Sequence, residues 1–433
     1  MATPTKGLRN VVVVDGGRIP FLKSNTDYQD LLSYDLARLA LTGLLAKTQI
    51  APAGVDWVIM GNVISNYTTS NVAREAALGA GFPERVPAFT VTLACISANK
   101  AITSGMDLIR TGQADVVIAG GTESLSDIPI RFRKPFRKKL IEAQKYRKTS
   151  DYLKLFKGIS PSDILPEIPS IAEFSTGRTM GQDCDRMAAR IGVTRAEQDE
   201  FAARSHQSAA RATEEGWLAG EIFPTPVPPS FTVVERDNGF RGDSTPEALS
   251  SLKPAFVKHY GTLTAGNSSF LTDGAGVVLL MAEDVAKAKG WTPIARIRDY
   301  AYTAQDPGEE LLLGPAYATP RVLERAGLAL KDIDVFEMHE AFAAQVIANL
   351  KVLDSDTFAT EKLGLKKKVG EIPMDRLNTW GGSLSLGHPF GATGARLVMT
   401  AANRLVKEDG QFALVSSCAA GAHGNAMILE RYA

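Results

Sequence analysis

The stretch Val91-Thr92-Leu93-Ala94-Cys95-Ile96-Ser97-Ala98-Asn99, with the segment behind it, decides the reading of this chain. A helical pattern runs on from it through Ile109, and then comes Asp115–Gly120, a short apolar run of the kind that is buried on both faces of a sheet. The same order returns near the other end. There a glycine-dense block, Asn378–Gly394, leads into a helical face made by Leu397, Ala401 and Leu405, and then into the run Phe412–Ser416. A second echo links Ser33–Val63 with Thr319–Ala341. In each, a helix passes through a short link, Ala51–Asp56 or Leu330–Asp334, into a strand. A repeat of this length predicts two α/β halves of similar topology.

Further apolar runs fill in the pattern. Val11–Val14, Val55–Gly61, Val277–Met281 and Val335–Met338 read as strands, and Leu36, Leu39, Ala40 and Leu44 lie on one face of a helix. Between the halves of the first unit lies an insertion from about Thr122 to Phe256. It opens on Arg131 to Lys157, which holds eleven Lys/Arg against Glu142 and Asp151, a net of +9. Leu140, Ile141, Tyr146, Tyr152, Leu153, Leu155 and Phe156 interleave those charges, so the segment predicts an amphipathic surface helix. A solvated helix face is the plain reading; contact with CoA phosphates, a partner or an anionic lipid surface is the functional one. Phe223–Pro229, rich in proline, reads as loop or extended edge.

Composition bounds the rest. The chain has 433 residues, of which 48 are basic and 48 acidic, so the net charge is zero and a dedicated nucleic-acid binder is disfavoured. At 45% hydrophobic and 22% charged residues it is an ordinary globular chain. Three cysteines, Cys95, Cys184 and Cys418, are too few and too odd for a disulfide framework, and point to a reducing compartment. With no secretory or Arg-rich leader and no apolar stretch near 20 residues, a soluble protein is expected.

Four short motifs can carry chemistry. Cys95 stands at a predicted helix start, where the helix end favours negative charge and would lower a thiol pKa. A buried small hydrophobe is the competing reading. His388 lies in Gly387-His388-Pro389-Phe390-Gly391, and so many small residues around one histidine imply close approach of backbone to a ligand, with His388 as base or oxyanion donor. Cys418 sits on the turn Ser417-Cys418-Ala419-Ala420-Gly421 after a strand, suited to a second acid/base thiol. His339-Glu340-Ala341-Phe342, again at a strand end, offers a donor and a carboxylate. Cys184, His206, His259 and His423 read as structural. No Cys-x-x-Cys or His-x-x-x-His pair and no Walker loop exists, so neither a zinc site nor a nucleotide phosphate loop is expected, and the metal expectation is none.

In this order, the Cys95 motif, His339–Phe342, Gly387–Pro389 and the Cys418 turn resemble the thiolase family over essentially the whole chain. Thr69–Glu75 and Phe174–Gly177, with His339 where many thiolases carry asparagine, resemble the beta subunit of the fatty-acid β-oxidation trifunctional complex. The resemblance implies two βαβαβαββ halves in a five-layered α/β/α/β/α core with an inserted loop domain. It divides the chain into an N-terminal domain (1–121 and 257–290), a loop domain (122–256) and a C-terminal domain (291–433).

The implied reaction is cleavage of a 3-ketoacyl-CoA by CoA, giving acetyl-CoA and an acyl-CoA two carbons shorter. Cys95 would be the nucleophile, His388 its base and Cys418 the second acid/base. His388 with His339 would form one oxyanion hole, and the backbone N–H groups of Cys95 and Ala420 the other. Thiolases commonly carry glycine where this chain has Ala420, which leaves the backbone donor in place. Ser269, Gly387 and Phe342 are the expected CoA contacts. CoA is a substrate, and no permanently bound cofactor is expected. The resemblance also implies at least a homodimer, while the +9 charge and interleaved aromatics of 131–157 predict binding of that segment to an alpha subunit with hydratase and dehydrogenase activities or to an anionic membrane. The location would be the cytoplasm of a bacterium, or the mitochondrial matrix or another organelle of a eukaryote. A biosynthetic or ketone-body acetoacetyl-CoA thiolase, a catalytically silent lipid-binding or scaffold relative, and a ketoacyl synthase are the alternatives; a second thiol at Cys418 speaks against the last.

Overall fold

The computed structural model describes residues 8–167 and 172–432. Among them, nine strands, with the two-residue strand Leu22–Lys23 paired at the margin of the sheet, and their flanking helices build the body. In the first half these are β1 (Val11–Arg18), α1 (Ser33–Thr48), β2 (Trp57–Gly61), α2 (Val72–Gly79), β3 (Ala88–Val91), α3 (Ser97–Arg110) and β4 (Val116–Glu123). The insertion then contributes α4 (Lys134–Ala143), α5 (Met180–Ile191) and α6 (Arg195–Glu214), and β5 (Thr272–Ala282) closes the half. The second half comprises β6 (Ala295–Ala304), α7 (Gly314–Ala326), β7 (Val335–Met338), α8 (Ala343–Leu353), α9 (Thr393–Lys407), β8 (Phe412–Ala419) and β9 (His423–Arg431).

The strands run in the order β7-β8-β9-β6-β1-β5-β4-β2-β3. Each half holds a parallel pair, β2 beside β4 or β7 beside β8, with antiparallel strands toward the middle. Within the sheet the halves meet where β1 and β6 pair, Val12 opposite Arg296 and Val13 opposite Ala295.

Alternation along the strands explains the layering. In β4 and β5, Val117, Ala119, Val278 and Leu280 face one core, while Val116, Ile118, Val277 and Leu279 face another. A strand with both sides apolar must be covered on both sides. The outer side of the first half carries α1 and α2. The shared inner core holds α3 and α9 side by side, together with Ala413, Val415, Met427 and Leu429 from the second half. Leu414, Ala426 and Ile428 turn the other way, under α7 and α8. Five layers result, with α3 and α9 as the middle one.

The basic segment folds as α4, an irregular turn and a short 3-10 stretch, Thr149–Phe156. It leaves Ile141, Leu153 and Phe156 exposed beside its lysines. Among the described residues no helix is long and apolar enough to cross a membrane.

Candidate active site

All four chemistry-bearing motifs stand at the same end of the sheet. Cys95 follows β3 on a tight turn that hands the chain to α3. Ala94 is left-handed there, at φ 46°, a conformation that costs an alanine roughly 1–2 kcal/mol. The Ser97 hydroxyl fastens the turn by accepting from Leu93 N at 2.8 Å and donating to the Ala94 carbonyl at 2.7 Å. His339 follows β7, His388 lies shortly before α9, and Cys418 is the penultimate residue of β8. Sequence distance hides what the fold brings together. The Cys95 sulfur and one ring nitrogen each from His339 and His388 lie within 4.8 Å of one another, and the imidazole centroids are 4.0 Å apart. This three-group convergence is invisible to a search for closely spaced ligand pairs.

The sulfur's hydrogen-bond partners are the backbone N–H groups of Ala420 and of Cys95 itself. Ala420 begins the three-residue turn joining β8 to β9, with Gly421 (φ 75°) and Ala422 (φ 57°) both left-handed. Two outside groups pin that turn: Gly421 N donates to the Glu173 carboxylate at 3.0 Å, and Gln305 N donates to the Ala422 carbonyl at 3.0 Å.

Burial, more than the helix end, governs the Cys95 thiol. Desolvation pushes its pKa up to about 11 against the two N–H contacts that favour the thiolate, and the Glu123 and Glu173 carboxylates add to the rise. The thiolate expected from helix position is therefore not the resting form. Cys418 is likewise held well above the usual thiol range, by burial and then by the neighbouring Cys95. His388 is pushed down to about 3 by burial and by the Arg396 cation, and His339 falls well below its usual value by burial, His388 and Arg396. Two neutral thiols face two neutral imidazoles.

Hydrogen bonds assign the His388 tautomer. Its Nδ1 meets Thr393 Oγ1 at 2.6 Å, and that hydroxyl donates to the Pro389 carbonyl at 3.0 Å. Thr393 has one hydrogen, so Nδ1–H of His388 must donate to it, and Nε2 keeps a free lone pair. Among the described residues, Nε2 of both histidines is buried without a partner. A lone pair beside a thiol, with two N–H groups aimed at the same sulfur, is equipped for nucleophilic attack on a carbonyl.

The remaining expected residues lie around this centre. Ser269 N donates to the Ala341 carbonyl at 2.9 Å, and Leu271 bridges to His388, so the Ser269 loop runs between the His339 turn and His388. Gly387 is at φ 102°, and a Cβ there would meet the Thr272 side chain at 2.7 Å. Thr272 Oγ1 in turn accepts from His388 N at 3.0 Å. Phe342 packs edge-on against Phe256 at 5.7 Å. Glu340 departs from the sequence expectation of a carboxylate offered to the site. It is fully buried and accepts from Ser205, Asn378 and Leu384 N, which fastens the Gly381-Gly382 turn.

Sequence reasoning missed Glu123, Glu173, Ser383 and Arg396. Glu123 accepts from Val63, Ile64 and Gly391 N and from the Asn62 amide, tying the two halves together beneath the site. Its only sequence signal was a carboxylate at the end of an otherwise apolar strand.

Fold and site together fit the acyltransferases. The chain belongs to the thiolase family: the model of the thiolase N-terminal domain matches residues 11–284, and that of the C-terminal domain matches residues 291–431. It is 56% identical to the mitochondrial trifunctional enzyme subunit beta of Homo sapiens over 98% of this chain and 89% of that protein. It is 51% identical to a probable 3-ketoacyl-CoA thiolase of Caenorhabditis elegans, over 100% of this chain and 96% of that one. Among solved structures, human mitochondrial 3-ketoacyl-CoA thiolase superposes with a TM-score of 0.84 at 31% identity, covering 99% of this chain and 100% of the other. The five-layered architecture expected from sequence is thus the one found.

Proposed function

We propose that this thiolase cleaves 3-ketoacyl-CoA with CoA in fatty-acid β-oxidation, through an acyl group carried on Cys95. The observation that carries the reading is the Cys95 sulfur within 4.8 Å of a ring nitrogen of His388 and of one of His339, with the N–H groups of Cys95 and Ala420 favouring its thiolate. Cys95 attacks the 3-keto carbon as its proton passes to His388. The two backbone N–H groups then hold the tetrahedral oxyanion.

Collapse breaks the C–C bond, leaving an acyl-Cys95 thioester and the enolate of acetyl-CoA. The enolate oxygen is held by the two histidines, and Cys418 protonates its carbon. A thiol held far above its usual pKa stays protonated and is available for that step. The resulting Cys418 thiolate takes the proton of incoming CoA, whose sulfur displaces Cys95. Two easier steps replace one difficult one, with ping-pong kinetics as the signature.

Ser269, Gly387 and Phe342 are proposed to contact the substrate around His388. The 1–121/257–290, 122–256 and 291–433 division is proposed as the functional one, with the insertion covering CoA. The relatives named as trifunctional enzyme subunit beta support an alpha-subunit partner carrying hydratase and dehydrogenase activities, and a mitochondrial or, in a bacterium, cytoplasmic location. We propose a homodimer or higher oligomer. The exposed Ile141, Leu153 and Phe156 among lysines support contact of the 131–157 segment with that partner or with an anionic membrane.

The test is thiolysis of acetoacetyl-CoA and 3-ketohexadecanoyl-CoA by the wild type and by Cys95→Ser, followed at the enolate absorbance. Preference for the long chain, lost in the variant, is expected. Activity confined to the four-carbon substrate would indicate an acetoacetyl-CoA thiolase instead, and no acylation of folded wild type would indicate a silent relative.

A further inference from the structure

Behind His339 lies a fully buried chain of polar groups with no part in the steps described above. The His339 Nδ1 meets the Ser383 hydroxyl at 3.0 Å. The same Ser383 oxygen accepts from the Arg396 guanidinium at 3.1 Å. Arg396 stands 3.5 Å from the Glu337 carboxylate, which Arg404 also contacts at 2.8 Å. All five side chains are buried, with His339, Ser383 and Glu337 at 0% exposure and Arg396 at 1%. Arg404 also pairs with Glu408 at 2.9 Å, so the cation felt by the histidines is that of Arg396.

We propose that Arg396 and Ser383 are positioning residues that lock His339 as an Nε2–H donor, dedicated to the enolate oxygen. Counting hydrogens leads to this assignment. Guanidinium nitrogens only donate, so the Ser383 oxygen is an acceptor toward Arg396. Its single hydrogen then goes to the other partner of that hydroxyl among the described residues, His339 Nδ1. A ring nitrogen that accepts is bare, and in a neutral imidazole the other nitrogen must carry the proton. The His339 Nε2, buried and without a protein partner, therefore presents N–H to the cavity.

Thr393 imposes the opposite assignment on His388. Two imidazoles 4.0 Å apart thus serve as different reagents, one a base and one a donor, each fixed by a hydroxyl whose own hydrogen bond is dictated from behind. The Arg396 cation also opposes protonation of both rings at rest, so His388 becomes a second donor only once it has taken the Cys95 proton.

The inference rests on the reaction proposed above, and that reaction splits the test. The His339 N–H serves C–C cleavage, in which the enolate forms. Attack of CoA on acyl-Cys95 uses the Cys95 and Ala420 N–H groups instead. Stopped-flow formation of acyl-Cys95 from 3-ketohexadecanoyl-CoA, and separately its discharge by CoA, would be measured for wild type and Ser383→Ala. We expect acylation to slow about tenfold, with discharge within twofold of wild type. Full removal of an oxyanion donor costs roughly a hundredfold or more, and a misassigned tautomer retains some fraction of sites in the right form. Equal slowing of both halves, or of neither, overturns the proposal. Failure of wild type to acylate at Cys95 overturns the underlying mechanism instead.

A measurement on unmodified protein stands beside it, should Ser383→Ala not fold. Nitrogen-15 correlation spectra of the resting wild type should show His339 protonated at Nε2 and His388 at Nδ1. The same tautomer on both rings, or Nδ1–H on His339, contradicts the proposal.

Discussion

The two halves of the molecule are copies that have diverged at one end. Their registers superimpose residue by residue. Asp56 accepts from Asp115 N and Val116 N, and Asp334 accepts from Gln411 N and Phe412 N. A register irregularity ends at Asp15 in β1 and at Asp299 in β6, and each aspartate accepts from the next residue's N–H. Counting from these anchors makes Val12 the counterpart of Arg296, and those two residues pair with each other at the seam, where a local two-fold axis must pass.

The same counting places His339 opposite Gly61, Ser417 opposite Gly121 and Cys418 opposite Thr122. The second half carries the imidazoles and the acid thiol, while the first supplies space and a nucleophile. A Cβ on Gly121 would run into the Gly391 carbonyl of the His388 loop, and one on Gly61 into Ser97 at the start of α3. The missing side chains in the first half leave room for the His388 loop of the second half. The halves also differ at the edge. The first has β3 as a fifth strand, whereas the second, among the described residues, has a bridge between Phe336 and Leu377 in that place.

If this divergence is real, paired substitutions at equivalent positions should give unequal results at the active end and equal results at the far end. Cys418→Ser should lower the thiolysis kcat by roughly 10²–10⁴-fold, the usual worth of a positioned proton donor, while Thr122→Ser should stay within threefold. Comparable losses would mean that Thr122 too takes part in the reaction.

Gly121→Ala should cost at least about 3 kcal/mol in denaturant unfolding, the upper end for overpacking, because backbone rather than a movable side chain blocks the space. Ser417→Ala, at the matching site with a buried and unpartnered hydroxyl, should change stability by less than about 1 kcal/mol. At the far end Asp56→Asn and Asp334→Asn should each cost about 1 kcal/mol, and a difference of more than that between them would break the equivalence.

The pH dependence follows from the active end alone. The His388 pKa lies near 3, so its lone pair is available at every pH above about 4, and kcat/KM should show no acid limb between pH 7.5 and 5.5. The Cys95 thiol, near 11, should be alkylated by iodoacetamide at a rate that still climbs at pH 10. A loss of rate centred near pH 6.5 would place a titrating imidazole where the structure holds a neutral one at rest.

The sequence pattern reveals the repeat and six of the nine strands, because runs such as Val277–Met281 are apolar at each position. It conceals β3, β6 and β9. In β6 the register irregularity between Ile297 and Asp299 breaks the alternation that would mark a strand. Only three residues separate β9 from the end of β8, so the glycine turn between them hides its entry. Cys95, His388 and Cys418 are legible because each stands among small residues at a strand or helix end, and His339 because it follows an apolar strand and fits the family's motif order. Their protonation is not. Helix position argues for a Cys95 thiolate, yet burial by segments hundreds of residues away prevails. Arg396 looks in sequence like any surface arginine of α9, and only the packing of β7 and α9 against one another shows that it is sealed in with Glu337.

The central claim is that Cys95 carries the acyl group. Mixing the protein with 3-ketohexadecanoyl-CoA without CoA, quenching, and mapping the adduct by mass spectrometry tests it directly. A fourteen-carbon acyl group is expected on the peptide containing Cys95, discharged when CoA is added. The adduct on Cys418, or no adduct on a protein that nonetheless turns over, would contradict the claim.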